Sequence, residues 1–355
     1  MRGMSSGCDA SCAPCGRLVD PARWEPVLAL IEGAQSIALS GHTNPDGDAL
    51  GTALGLGLAI RGAFPGKEVS FLLADDAPVP RILKFLPHVD EFVYASAFQG
   101  TPDLFIAVDA PSLDRLENSA AVARRAGARV VIDHHPADCE YADAVVRNPR
   151  AAAAAMLVLD LLEVKGLEVT AEVADCLYTG LVTDTGRFQY QNADAAAFSS
   201  AAHLVAAGAD PARVSLEVYQ SQRIEYLRLE ALVVSRIRMT AGGKVAYSYS
   251  TNADLEEYGV GFDECEGLID LVRQVAGVEV CLFAKEGRSP GFVRGNLRSK
   301  YGHDVSKVAA RFNGGGHASA AGFSWRGTVE EALAAVVPCL VELVESGVVS
   351  DSGEW

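Results

Sequence analysis

Short apolar runs alternate with longer, helix-length segments through the first half of the chain. Positions 36–40, 69–73, 104–108 and 130–132 are such runs. Each stops at a polar or ionisable group: Gly41-His42, Ala74-Asp75-Asp76, Asp109 and Asp133-His134-His135. Brief apolar strands separated by helical stretches, such as the small-residue segment 49–61, predict an α/β fold whose parallel sheet carries helices on both faces. Such sheets bind ligands beyond the carboxyl ends of their strands. The ionisable clusters fall at those ends, so the pattern alone marks a site.

Asp20-Pro21 predicts where the first ordered element begins, a cap followed by proline at the first helical position. Segment 170–183 predicts a helix capped by Thr170 that delivers Asp184 at its far end. Segments 193–208 and 211–236 read as amphipathic helices joining two lobes. From Lys244 the pattern changes. Strands are expected at 245–249, 278–284 and 291–298, with a helix at 262–275 and then Asn313-Gly314-Gly315-Gly316-His317. The expected division is a disordered tail at 1–19, a first α/β domain at 20–190, a helical linker at 191–236 and a smaller α/β domain at 237–347.

Composition supports two packed domains: 355 residues, 49% hydrophobic and 21% charged. No apolar run approaches the ~20 residues of a membrane helix, and the polar start of the chain lacks a signal-peptide core. The expectation is a cytoplasmic protein without a membrane partner. A net charge of −16 opposes tight binding of long nucleic acid, which needs many Lys and Arg contacts to phosphate. It leaves room for a small anionic substrate in a local cationic pocket, and it suits carboxylates gathered around divalent cations. Cys8, Cys12 and Cys15 have a spacing used by some iron–sulfur proteins. Nothing downstream supplies the context such a motif needs, so the tail is read as unstructured.

Four elements of the first domain carry chemistry. The loop Gly41-His42-Thr43-Asn44-Pro45-Asp46-Gly47-Asp48 holds one imidazole and two carboxylates. A helix cap explains one of the aspartates; it does not explain all three groups. Asp109 follows a strand directly, where a lone aspartate is about as often a turn residue. Asp133-His134-His135 also follows a strand, and two adjacent histidines seldom bury together, since each ring needs partners. Asp184 ends a helix. Together His42, Asp46, Asp48, Asp109, His134 and Asp184 make six candidate ligands. A single-metal hydrolase needs about three. Six therefore favour two cations, ~3.5–4 Å apart in such centres, which clamp both oxygens of an in-line phosphoryl displacement. In the second domain, Gly314, Gly315 and Gly316 let backbone N–H groups approach a phosphate closely, and His317 adds a donor. Arg294, Arg298 and Lys300 concentrate positive charge at the end of a strand. A solvated edge strand is the plain alternative; a bidentate Arg–phosphate contact is the functional one.

Taken in order, Asn44-Pro45-Asp46-Gly47-Asp48-Ala49-Leu50-Gly51, Asp109, Asp133-His134-His135, Asp184-Thr185-Gly186 and Gly314-Gly315-Gly316-His317 resemble the DHH phosphoesterase family. The resemblance covers roughly positions 20 to 345 and extends to the DHH-associated C-terminal domain. Overall length points to the NrnA-type subgroup of oligoribonucleases and 3′-phosphoadenosine-5′-phosphate phosphatases. The resemblance implies two Mn²⁺ ions: His42 and Asp46 on one, Asp48, His134 and Asp184 on the other, and Asp109 between them. It implies that His135 lies near the scissile phosphate and that Asp133 orients a histidine. It gives Arg298, the adjacent Ser299, the three glycines and His317 to substrate phosphate in a cleft between domains. Dimerisation would be in keeping with the family. In one place the chain departs from it: hydroxyl residues and a glutamate are expected after the DHH segment, and Ala151-Ala152-Ala153-Ala154-Ala155-Met156 stands there instead.

The function expected on this basis is hydrolysis of oligonucleotides of a few residues to 5′-mononucleotides, together with removal of the 3′-phosphate from 3′-phosphoadenosine-5′-phosphate. Hydrolysis of cyclic dinucleotides or their linear products is the alternative within the same chemistry. Long-strand exonuclease action is disfavoured by charge. A pyrophosphatase is disfavoured by the glycine–histidine loop. A nucleotide sensor without turnover has only the apolar stretch 151–156 in its favour.

Overall fold

A computed structural model describes residues 17–136 and 139–347. The cysteine-bearing tail expectation, apart from residues 17–19, lies outside them. The chain divides into two compact units. One comprises residues up to Ala77 and Leu86–Pro211; the other comprises Pro78–Phe85 and the chain from Ala212. The division thus falls inside the segment expected as a connector, and a short excursion, Pro78–Phe85, belongs with the second unit.

The first unit is built on six strands: β1 Ser36–Ser40, β2 Glu68–Leu73, β3 Phe92–Tyr94, β4 Leu104–Val108, β5 Ala128–Asp133 and β6 Ala144–Arg147. All pairings are parallel, in the order β3-β2-β1-β4-β5-β6. Among the described residues, seven α-helices accompany them: α1 Glu25–Gly33, α2 Gly47–Ala63, α3 Leu113–Leu116, α4 Ser119–Arg125, α5 Ala154–Lys165, α6 Ala171–Asp184 and α7 Ala195–Ala206. Alternation along the strands sends Ala38, Leu72, Phe105 and Val131 into one apolar cluster with Leu116, Ala120 and Val122. Their neighbours Ile37, Leu39, Phe71 and Ile106 are just as buried, and Phe71 meets α2 at Gly57. Both faces are therefore covered, as near-continuous apolar strands require. Asp20 caps a short 3₁₀ turn, Pro21–Arg23, rather than a long helix. The next residue, Trp24, is fully buried and donates its indole N–H to Asp160 of α5 at 2.8 Å.

The second unit holds a mixed sheet, in the order β11-β12-β10-β9-β8-β7. Its strands are β7 Arg238–Thr240, β8 Val245–Ser250, β9 Val280–Glu286, β10 Phe292–Ser299, β11 Gly315–Gly316 and β12 Ala320–Arg326. Only β8 and β9 pair in parallel. Two helical expectations need correction. Segment 211–236 is not one amphipathic run. A helical turn Pro211–Ser215 passes into a π-helical turn Leu216–Gln220, and a new helix begins at Ile224. The break is held from a distance: the Arg223 guanidinium donates to Gly259 O at 3.0 Å and to Glu264 Oε1 at 2.6 Å. Segment 262–275 likewise divides into a 3₁₀ stretch, Phe262–Gly267, and a short α-helix, Leu268–Arg273, with Gly267 at the joint. Among the described residues, no helix is long and apolar enough to cross a membrane.

Candidate metal centre

Strands β1 and β4 lie side by side, and the sheet's connections run outward from them in opposite directions. That is a topological switch point, where the carboxyl ends of parallel strands open a crevice. His42 follows β1 by two residues, and Asp109 follows β4 directly.

The loop after β1 enters α2 through Asp46. Oδ1 of Asp46 accepts from the N–H groups of Asp48 and Ala49, both at 3.0 Å, and so caps the helix. Its Oδ2 lies 3.7 Å from Nε2 of His42. The cap and the candidate ligand are one carboxylate, each oxygen facing a different task. Asp75, beyond β2, anchors this loop: its Oδ2 accepts from the Asn44 N–H at 2.7 Å and the Thr43 hydroxyl at 3.0 Å. Asp48, fully buried, accepts from the Thr52 hydroxyl at 2.7 Å and from the first N–H groups of α5, Ala154 at 2.6 Å and Ala155 at 3.0 Å.

Asp109 is 2% exposed and sits in left-handed backbone, φ 52°. Nε2 of His42 lies 3.2 Å from its Oδ2, and Nε2 of His134 lies 3.2 Å from its Oδ1. The same His134 nitrogen is 3.1 Å from Oδ2 of Asp184. His135 Nδ1 meets Asp133 Oδ1 at 2.9 Å and lies 3.3 Å from Asp109 Oδ1. Among the groups whose ligand atoms all lie within 4.8 Å of one another are two sets of three, His42, Asp46 and Asp109, and Asp48, His134 and Asp184; Asp109, Asp133 and His135 form another.

The protonation pattern shows what these sets accept. Nδ1 of His42 bonds to Thr43 O at 2.8 Å, and Nδ1 of His134 bonds to Ala151 O at 3.2 Å. A carbonyl only accepts, so both rings carry their proton on Nδ1 and, when neutral, aim the Nε2 lone pair at carboxylates. Oδ1 of Asp109 is buried and makes no hydrogen bond. With both rings neutral, imidazole and carboxylate lone pairs converge with no donor between them, an arrangement that calls for a cation, and mixed imidazole and carboxylate ligands suit Mn²⁺, Fe²⁺ or Zn²⁺ better than Ca²⁺.

Protons substitute when no cation is bound. Burial alone would lower the His42 imidazole, yet Asp109 and Asp46 beside it raise it to about 10. Burial likewise opposes the charge of His134, and Asp109 and Asp184 overcome it and push the ring well above its usual range. Burial, with Asp46 and Asp109 nearby, lifts Asp184 to about 6. Burial, then Asp184 and Asp109, lifts Asp48 well up. Burial would raise Asp109 too, but the His134 and His42 imidazoles hold it well below the ordinary carboxylate range. At mildly alkaline pH the His42 ring still carries its extra proton, which an entering cation must displace. Calorimetry in buffers of differing ionisation enthalpy should therefore show at least one proton released per chain on Mn²⁺ binding. The apparent affinity should climb about tenfold per pH unit for each proton displaced, up to the His42 value. Binding without proton release would contradict this.

In the second unit, β10 alternates in burial, with Val293, Leu297 and Ser299 buried and Arg294 exposed. Arg298 donates from Nη1 to Leu297 O at 3.0 Å, and its Nε makes no hydrogen bond. Arg294 bonds Ser324 Oγ at 2.9 Å, and Lys300 Nζ bonds Val275 O at 2.9 Å. Ser299 points to the buried side, its Oγ without a hydrogen bond. The glycine loop is a strand, not a loose turn: Gly315 and Gly316 pair with Gly322 and Ala321 of β12. A Cβ on Gly314 would stand 2.1 Å from Gly322 O, and Gly316 adopts φ 136°. His317 donates its N–H to Ala320 O at 2.8 Å.

Sequence reasoning registered Asp75 only as a strand stop, with no role assigned, and passed over Thr52. Asp75 did carry a signal, since it too follows an apolar strand. Thr52 lies one helical turn after Asp48, the spacing at which side chains on a helix meet.

Comparison with known proteins agrees with this architecture. Residues 36–181 match the DHH family N-terminal domain, and residues 242–342 match the DHHA1 domain. The bifunctional oligoribonuclease and PAP phosphatase NrnA of Thermus thermophilus is 33% identical over 319 residues, covering 88% of this chain and 92% of that protein. The protein of the same description from Bacillus subtilis is 27% identical over 297 residues, covering 82% of this chain and 90% of that one. Among solved structures, an exopolyphosphatase-related protein from Bacteroides fragilis superposes with a TM-score of 0.84 at 25% identity, over 94% of this chain and 99% of that one.

Proposed function

The chain belongs to the DHH phosphoesterase family and is of the NrnA type, and from that premise we propose a two-cation hydrolase of short oligonucleotides. Its reaction releases 5′-mononucleotides from chains of a few residues, and the same site removes the 3′-phosphate from 3′-phosphoadenosine-5′-phosphate. One observation carries this reading. Nε2 of His42 and Nε2 of His134 converge on the carboxylates of Asp46, Asp109 and Asp184, with the buried Asp109 within 3.2 Å of both rings. The likeness to NrnA proteins over most of their length supports the substrate class.

We assign His42 and Asp46 to one ion, Asp48, His134 and Asp184 to the other, and Asp109 to both, with Mn²⁺ as the expected metal. Divalent cations held there would polarise the phosphoryl group and lower the pKa of water. The protein's own groups do the rest. Asp133 accepts from Nδ1 of His135 at 2.9 Å and so fixes the ring's tautomer and orientation. His135 is assigned to the phosphate and leaving oxygen. From the second unit, Arg298, Ser299, Gly314, Gly315, Gly316 and His317 are assigned to the substrate's other phosphate. The net charge of −16 supports a short substrate over a long one.

Arg298→Ala should raise KM about 10–100-fold, the worth of a charge-assisted phosphate contact, with metal content unchanged. Collapsed kcat at constant KM would instead put Arg298 at the chemistry. The reading as a whole is tested by product chromatography with Mn²⁺ and four substrates: an RNA dinucleotide, a long RNA, 3′-phosphoadenosine-5′-phosphate and cyclic di-AMP. Rapid conversion of the dinucleotide to mononucleotides, with the long RNA nearly intact, is expected. Preferential cleavage of cyclic di-AMP would favour the cyclic-dinucleotide alternative. No turnover of any substrate would favour a sensor.

A further inference from the structure

The alanine stretch Ala151–Ala155 lies at the hub of one ligand set, and it acts there through its main chain. Ala151 O accepts from Nδ1 of His134 at 3.2 Å. The N–H groups of Ala154 and Ala155, first in α5, donate to the two oxygens of Asp48 at 2.6 and 3.0 Å. Ala152 O accepts from Nδ2 of Asn192 at 3.2 Å, and the same nitrogen donates to Asp184 O at 3.1 Å. Both partners of that amide are carbonyls, so its nitrogen must be the atom facing them. Asp184 ends α6, where the last carbonyls lack intrahelical partners. Asn192 supplies one and ties that helix end to the alanine segment.

Resting on the two-cation reading, we propose that the backbone of residues 151–155, joined to Asp184 by Asn192, is the positioning element for the Asp48–His134–Asp184 ion alone. Each of those three residues is bound to the segment directly or through Asn192. The hydrogen bonds found at His42, Asp46 and Asp109 run elsewhere: to Thr43 O, to Asp48 and Ala49 N–H, and to Ile132 O, which accepts from the Asp109 N–H. Side-chain polarity at 151–156 is dispensable because backbone groups, which alanine retains in full, make the contacts. Asn192 is thus a positioning residue, selective for one ion.

The test is calorimetric titration of metal-stripped, full-length protein with Mn²⁺. Asn192→Asp keeps the size but turns the donor into a carboxylate facing two carbonyls. It should weaken one ion by about tenfold or more, the usual cost of losing a ligand-orienting partner, and leave the other within about twofold. Thr52→Val removes a hydroxyl whose hydrogen bond goes to Asp48. It should weaken the same ion, and the double variant should deepen that loss without touching the second. Equal weakening of both ions, or unchanged affinities in Asn192→Asp, overturns the inference. A wild-type stoichiometry below two overturns the two-cation reading along with it, and that result appears before any variant is measured.

Discussion

Asp109→Asn should reduce phosphoester hydrolysis by on the order of a thousandfold, equivalent to about 4 kcal/mol of barrier. The side chain lies between both histidines, 3.2 Å from each, and is the carboxylate assigned to both ions. Asparagine keeps the shape but loses the charge and one lone-pair oxygen. It is also a fair probe of the backbone. Asp109 sits at φ 52°, a conformation that asparagine tolerates and alanine resists, so loss of activity in Asp109→Asn does not arise from backbone strain. Steady-state kinetics with elemental analysis of the same sample checks it. Bound metal should fall below the wild-type content as turnover collapses, and near-normal turnover would refute the bridging assignment.

Gly51→Ala should be the most damaging small substitution in the first unit. Gly47, Gly51 and Gly55 recur every fourth residue on α2 and face α6. An added Cβ would stand 2.5 Å from Thr183 Oγ1, 2.3 Å from Cys176 O and 2.8 Å from Leu177 Cδ2 respectively. At Gly51 the obstacle is backbone, which cannot swing aside, so the two helices must separate. A cost of about 3 kcal/mol or more is expected, lowering the melting temperature by about 6–12 °C. Separation would also move Asp48, one turn up the same helix, away from the α5 N–H groups that hold it. Gly62→Ala is the control. It lies on α2 with nothing within 4 Å and should stabilise by about 0.4–1 kcal/mol. Equal melting temperatures for the two variants would mean that the glycine contact carries no packing constraint.

Much of this arrangement was legible in the sequence. The apolar runs at 36–40 and 104–108 are β1 and β4 to the residue. Their polar stops, His42 and Asp109, mark the switch point because a parallel sheet exposes its strand ends there. Thr170 caps the helix that ends in Asp184, as a cap residue before an apolar run implies. What escaped depends on partners distant in the chain. The interruption at 221–223 contains neither glycine nor proline; Arg223 is held by Gly259 and Glu264, some forty residues on. The excursion Pro78–Phe85 joins the second unit through Arg81, which bonds Gln222, and through Phe85 O, which accepts from Arg213. The alanine stretch looked like a loss because a sequence displays side chains. Its contribution to Asp48 and His134 is made by amide and carbonyl groups that every residue carries.

Electron paramagnetic resonance of the protein equilibrated with Mn²⁺ tests the central claim most directly. Two ions per chain sharing Asp109 predict an exchange-coupled spectrum at a stoichiometry of two, and Asp109→Asn should abolish the coupling. An uncoupled signal from a single bound Mn²⁺, in protein that still hydrolyses the dinucleotide, would contradict the two-cation centre.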